Sequence, residues 1–451
     1  MPGHVKLIHR FRLINVSRVR QLFLVFIALI LPLLPVNTYA LDLIEALTLA
    51  QKNDPVFLAA KANYQADQQL LGQARADLLP YVSATANQAQ NDRVTNGTPL
   101  KFDSSGYTLS VRQPLFNWER FAELGQAKVE VRKAEAEYHA AQQELITRLT
   151  TLYLDVLSAQ DSLVLTRAEK EAISQQLTLA KARLEVGLGT ITEVHDANAR
   201  YKLADAQLLD AENLLQDKRQ ALGESIGIVP SNLKILRQKF PLVLPDPPDI
   251  NAWTEKAQQQ NLGLVAAIAE TEITRRELSV KRAGHLPTLD VVGSRTYTDT
   301  AFTLGGPLVS TNNSIRLELS VPIFSGGKIY KQSTEAKYRY QAATQNMEAV
   351  RRNVLRTTRN AFLGIQSDVS RVKALAQAVI AGESALEAKK IGFEAGIETN
   401  IDVLNAQRDL YGSKRDYAQS RYSYLLNLLK LRLAVGSLSP KNLEVANGWL
   451  E

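Results

Sequence analysis

The hexapeptide Val111-Arg112-Gln113-Pro114-Leu115-Phe116 returns as Leu319-Ser320-Val321-Pro322-Ile323-Phe324, one of several segments that this chain carries twice. Leu79-Pro80-Tyr81 recurs as Leu286-Pro287-Thr288, Val186-Gly187-Leu188 as Ala395-Gly396-Ile397, Glu193-Val194 as Asp402-Val403, and Ser225-Ile226-Gly227 as Ala434-Val435-Gly436. The offset stays between 207 and 209 residues. So long a period marks a duplicated structural unit, because solenoid repeats span only about 20–45 residues. The expected organisation is a leader over residues 1–40, a first repeat over 41–227, a linker over 228–250, a second repeat over 251–436 and a C-terminal segment over 437–451. The linker holds Pro230, Pro241, Pro245, Pro247 and Pro248, a density that no helix survives.

Each repeat has the same order of patterns. A short amphipathic helix is expected near 42–51 and again at 252–260. A longer one follows over 55–78 and 262–282, then two strand-like runs, a very long helix, a Gly turn and a returning helix. Trp118–Glu185 and Lys328–Ala395 contain no Pro, and each spans 68 residues. A continuous helix of that length reaches ~100 Å. In the first, Leu145, Leu149, Leu152, Val156, Ala159 and Leu163 step alternately by four and three. In the second, Leu355, Thr358, Phe362, Ile365, Val369, Val372, Ala376 and Val379 do the same. The returning helices keep the spacing at Leu208, Leu215 and Leu222, and at Leu404, Tyr411, Ala418 and Leu425. Such seams require partner helices and a left-handed supercoil. Two helical hairpins follow, with tips at 187–190 and 396–400.

The strand runs have period two. Tyr107, Leu109 and Val111 alternate with Thr108, Ser110 and Arg112; Ile315, Leu317, Leu319 and Val321 alternate with Arg316, Glu318 and Ser320. One apolar and one polar face is the pattern of a membrane barrel strand, and also of a one-faced soluble sheet. Partner strands are expected at 81–90 and 288–297, with exposed loops over 91–104 and 298–312. Phe116, Trp118, Phe324 and Tyr330 mark the change from strand to helix, where a membrane interface would gather aromatics. Four strands cannot close a barrel, and an open edge cannot face lipid. Several copies must therefore pool their strands, eight from two chains or twelve from three.

Charge and targeting agree with export. Residues 1–40 hold Lys6, Arg10, Arg12, Arg18 and Arg20 and no acid, followed by an apolar run from Leu22 to Leu34, Pro35 and Thr38-Tyr39-Ala40. That is the three-part layout of a secretory signal, with cleavage expected after Ala40. The rest of the chain carries 48 basic against 46 acidic residues, so no basic field argues for nucleic acid. The chain has no Cys. Thiol catalysis, iron–sulfur ligation, disulfides and lipid attachment at an N-terminal Cys are thereby excluded.

These residues resemble the TolC-type outer-membrane ducts of efflux pumps and type I secretion systems, over nearly the whole chain from about residue 43 to 438. The resemblance is carried by the duplicated layout and by Gly284-His285-Leu286-Pro287-Thr288-Leu289-Asp290, Val321-Pro322-Ile323-Phe324-Ser325-Gly326-Gly327 and Gly396-Ile397-Glu398-Thr399-Asn400-Ile401-Asp402-Val403-Leu404-Asn405-Ala406. It implies a mixed fold: long coiled-coil hairpins plus four transmembrane β-strands per chain, three chains forming a 12-stranded barrel above a hollow periplasmic α-barrel. It implies a homotrimeric, passive exit duct in the outer membrane, in contact with outer-membrane lipid. A periplasmic adaptor (membrane fusion) protein and an inner-membrane pump or ABC exporter would drive and open it.

The resemblance also assigns positions. Asp402 and Asn405 match the residues that line the periplasmic entrance, Asn405 standing where a second acid is expected. Thr192, Glu193, Phe393 and Glu398 match the contacts that keep the tip shut. Phe393 lacks the hydroxyl expected there, and Glu398 replaces a basic residue, so an acid facing Glu193 would repel and closure by different contacts is expected. The turns with Gly187, Leu188, Gly189, Gly396 and Ile397 match the adaptor-docking tips, although such glycines also simply turn a chain. No catalytic group, cofactor or metal site is expected: His195 near Glu193 and Asp196 reads as a solvated tip histidine. The competing reading is a soluble periplasmic coiled-coil adaptor or scaffold. It leaves the two-faced strands and the aromatics without purpose.

Overall fold

The computed structural model describes residues 40–95, 97–301 and 306–451. The leader, apart from Ala40, lies outside the described residues. Each repeat begins with a short helix and a longer one: α1 (Leu43–Asn53) and α2 (Pro55–Ala76), then α5 (Ile250–Gln260) and α6 (Leu262–Ala283). Local chemistry sets their starts. The Asp42 carboxylate accepts from Ile44 and Glu45 N–H, and Glu45 returns a bond to the Asp42 backbone. Asp54 caps α2 ahead of Pro55, a residue already set for the first helical position. The repeats even share a brace, since Asn53 Nδ2 donates to the Ile226 carbonyl and Asn261 Nδ2 to that of Ala434.

The long helices run as the Pro-free stretches predict. These are α3 (Trp118–Glu185) and α7 (Lys328–Glu394), each returning through α4 (Ile191–Ile226) or α8 (Asn400–Val435). Along α3, Leu145, Leu149, Val156 and Ala159 of the expected seam are buried; along α7, Thr358, Phe362, Ile365, Val369 and Val372 are. Neighbouring helices form rows. Near the sheet the order is α2, α3, α6, α7; toward the tips it is α4, α3, α8, α7.

The main core lies where the rows meet the linker. Tyr153 of α3 is fully buried, its hydroxyl 2.9 Å from the carbonyls of Leu41 and Lys234. Tyr424 of α8 donates to the Val243 carbonyl and accepts from its N–H. Arg421 donates to the Leu236 and Arg237 carbonyls. One bridge joins Leu41 to Leu233 and another joins Leu236 to Leu450, just beyond the last helix, α9 (Pro440–Asn447). The Pro-rich segment is thus a strap held by buried side chains of both repeats.

The strands differ from expectation in length. β1 (Tyr81–Thr95) and β2 (Thr98–Asn117) pair from Tyr81↔Arg112 through Thr95↔Thr98; β3 (Thr288–Thr300) and β4 (Leu308–Ser320) pair from Thr288↔Ser320 to Thr300↔Leu308. Residues 91–95, 98–104, 298–300 and 308–312 are therefore strand, not loop. Their polar composition reflects strand continuing beyond the apolar band into water. Gly97 takes the left-handed conformation at the turn into β2, with φ +81°.

All four strands are antiparallel, in the order β1-β2-β3-β4, with both outer edges unpaired among the described residues. Burial is inverted relative to a soluble sheet. Along β2, Tyr107, Leu109 and Val111 are exposed while Thr108 and Ser110 between them are half-buried. On β4, Ile315 is 86% exposed, with Leu317 and Leu319 beside it. The opposite face carries a row of serines in register across the sheet, Ser83, Ser110, Ser294 and Ser314. The first pair is hydrogen-bonded at 2.8 Å and the last at 2.9 Å. An apolar outer face against a hydrogen-bonded polar inner face suits a sheet with lipid outside and water inside.

Candidate functional site

The far ends of the two hairpins hold nearly all the residues singled out in the sequence. Gly187 and Gly396 end α3 and α7 with φ +73° and +74°, and nothing lies within 4 Å of a Cβ built on either. The residues after them project into solvent: Leu188 is 72% and Ile397 81% exposed. Each returning helix then starts with a reciprocal cap. Thr190 Oγ1 accepts from Glu193 N–H while Glu193 Oε2 accepts from Thr190 N–H. At the second tip Thr399 and Asp402 repeat the arrangement, and the Thr399 hydroxyl also donates to Asp402 Oδ2 at 2.5 Å. The Thr399 hydroxyl, then its N–H, hold the Asp402 carboxyl below its ordinary value. Thr192 is exposed on the first turn of α4, and His195 is exposed just after it.

Glu398 does not face Glu193 unpaired. Lys389, one turn before the tip on α7, donates to Glu398 Oε1 at 2.7 Å. Glu193 is engaged in its own cap. Phe393, 5% exposed, packs with Leu386, Val403 and Leu410 inside the second hairpin. The Arg183 guanidinium of the first hairpin lies over its ring, 4.5 Å from the centroid. Asn405 accepts from Arg200 Nη2 of α4 at 2.8 Å. Leu404 of α8 joins Ile173, Leu177, Ala197 and Ala204 of the first hairpin in one apolar cluster. Farther up, Arg415 reaches buried Glu169 at 2.6 Å.

The structure thus brings Phe393 and Asn405 into the junction between the hairpins, and places Asp402 and Glu193 at helix starts. Arg183, Arg200 and Lys389 were not singled out from sequence. Only Lys389 left a local trace, a cation within one helix-plus-turn of an acid. At the other end, Phe116, Trp118, Phe324 and Tyr330 are exposed where the strands give way to α3 and α7, joined there by Phe121.

The comparisons with known proteins agree with this geometry. The family model described as "Outer membrane efflux protein" matches residues 46–228 and again 253–437. The chain is 35% identical to "Outer membrane protein TolC" of Vibrio cholerae over 436 residues, covering 96% of this chain and 99% of that protein. It is 28% identical to "Alkaline protease secretion protein AprF" of Pseudomonas aeruginosa over 430 residues, 92% of this chain and 88% of that one. Among solved structures, the outer membrane protein VceC of Vibrio cholerae superposes with a TM-score of 0.74 at 22% identity, covering 87% of this chain and 96% of VceC. Fold, strand faces and tips together define an outer-membrane channel whose helices reach far into the periplasm. The chain belongs to the outer membrane efflux protein family.

Proposed function

We propose that three copies of this chain close into a 12-stranded barrel continuous with a helical cylinder, the passive exit duct of a tripartite efflux pump or a type I secretion system. The observation that carries this reading is that both layers stop short of closure in the same way. The sheet ends in open edges at β1 and β4, and the helical row beside it ends at α2 and α7. One rotation joins both. A free strand edge in lipid leaves several backbone groups unsatisfied at several kcal/mol each, so closure is obligatory. The native absence of Cys makes the test clean: cysteine pairs scanned over 82–88 of β1 and 311–317 of β4 should crosslink into a covalent trimer. Chains that crosslink no further than dimers would reject threefold closure.

The tips are the entrance and the docking surface. A periplasmic adaptor would seat on the Gly187–Gly189 and Gly396–Ile397 turns, and an inner-membrane pump or ABC exporter would supply cargo. Three Asp402 side chains form a negative ring, which attracts cations. Because Thr399 holds that carboxyl low, each Asp402 keeps more of its charge on acidification than a free aspartate would. Block of purified channels by a trivalent cation added from the periplasmic side should therefore persist at about pH 5 and disappear in Asp402→Asn, which can still accept the cap bonds. Equal block in the variant would remove Asp402 from the entrance.

Closure at the tip rests on Arg183 over Phe393 and Arg200 on Asn405, which tie hairpin to hairpin. A cation–π contact is worth roughly 0.5–2 kcal/mol, so Arg183→Ala should raise the open population roughly twofold or more. Single-channel recordings read this directly; unchanged closed times would show that the contact does not hold the tip.

A further inference from the structure

The apolar face of the sheet carries one charge inside its band. Successive rows on that face, rising from the helices, are Leu289 with Leu319, Val291 with Leu317, Gly293 with Val111 and Ile315, Arg295 with Leu109 and Asn313, and Tyr297 with Tyr107 and Thr311. Charges resume in the next row with Asp299. From Leu289 to Tyr297 the strand climbs ~27 Å, or ~21 Å of height at a tilt of about 40°, close to the ~25 Å apolar band of such barrels. Phe116 pairs with Leu289 at the lower boundary. The stacked rings of Tyr107 and Tyr297, 5.3 Å apart, mark the upper one.

Arg295 is exposed in the row directly below those rings, ~5 Å lower by the same geometry. Among the described residues it has no acidic partner, whereas Arg112 on the opposite face pairs with Asp290 at 2.8 Å and Glu318 at 3.4 Å. Its register neighbours Leu109 and Asn313 carry no charge. β3 is an inner strand, so no neighbouring copy covers this face by edge pairing. Below Arg295 on the same strand is Gly293, where nothing lies within 4 Å of a built Cβ. Val111 and Ile315 flank it in register and leave a shallow apolar notch.

We propose that this patch binds a phosphate-bearing anionic lipid of the outer leaflet. An acyl chain fills the notch at Gly293, the Arg295 guanidinium extends upward to take the phosphate in a two-point hydrogen bond, and the tyrosine hydroxyls contact the head group. An unpaired guanidinium in that band is otherwise a cost, and a lipid phosphate is the anion available at its height. The inference rests on the lipid-facing reading of the sheet.

The test uses the full chain, purified as its oligomer in detergent and titrated with phosphatidylglycerol or phosphatidylcholine, with retained lipids counted by native mass spectrometry. Wild type should retain phosphatidylglycerol preferentially, one per protomer. Arg295→Thr should weaken that retention about fivefold. Arg295→Lys, which keeps the charge but not the fork, should fall between. Equal retention by Arg295→Thr overturns the site while leaving the barrel intact, provided the variant is recovered as a heat-labile outer-membrane oligomer. Loss of the lipid to millimolar inorganic phosphate would identify free phosphate as the ligand and also overturn it. Wild-type protein recovered as a soluble monomer would instead sink the lipid-facing reading itself.

Discussion

Gly436→Ala should leave little oligomer in the outer membrane, the largest effect expected from any single methyl group in this chain. Gly436 closes α8 with φ +80°, where a side chain costs roughly 1–2 kcal/mol. A Cβ there would also collide with the Gln260 carbonyl oxygen and sit 2.8 Å from its carbon, both backbone atoms at the C-terminal end of α5. Relief would require moving a helix end that Asn261 holds through the Ala434 carbonyl. Strain of that kind adds about 1–3 kcal/mol or more, against a domain stability of about 5–15 kcal/mol. Two related glycines calibrate the result. Gly227, the counterpart in the first repeat, would first meet the Asn53 side chain at 2.9 Å, and Gly396 meets nothing within 4 Å. The heat-dissociation temperature of the oligomer should therefore fall in the order Gly396→Ala, Gly227→Ala, Gly436→Ala, the last by far the most. Equal shifts in all three would mean that backbone conformation alone, and not the close approach, sets the cost.

The second large effect concerns transport. Leu188→Asp combined with Ile397→Asp should reduce drug resistance or protein export to the level of a strain lacking the channel, while trimers remain at normal abundance. Both side chains already stand in water, so charging them costs the isolated protein almost nothing. Seated against a partner, each would bury an unpaired carboxylate at several kcal/mol. Six such charges surround one trimer. Either single variant should show a partial defect; full activity in the double variant would place adaptor contacts elsewhere.

Most of the architecture was readable before any coordinates because it is written in long periods. Sixty-eight residues without Pro leave little choice but helix, and the alternating steps of three and four name the buried seam. Strand length is less legible, because a polar composition does not distinguish a loop from a strand that rises out of an apolar band: Asn91, Asp92, Ser310 and Asn312 are polar, yet they lie in the ladder. The tip was only half legible. Cap partners such as Thr399 and Asp402 are three residues apart and can be read from spacing. Arg183 and Phe393 are 210 residues apart, and Arg200 and Asn405 are 205, so only folding brings them together. The expected repulsion at Glu398 overlooked Lys389, whose bond to it spans the turn.

The sheet and the helical row are each four elements wide in every subunit, which couples the calibre of the pore above to that of the tube below. Adding a strand hairpin alone would widen one mouth and leave the other unable to follow. Diversification of such a conduit is therefore confined to what lines it and what docks on it, while its diameter is inherited as a fixed ratio.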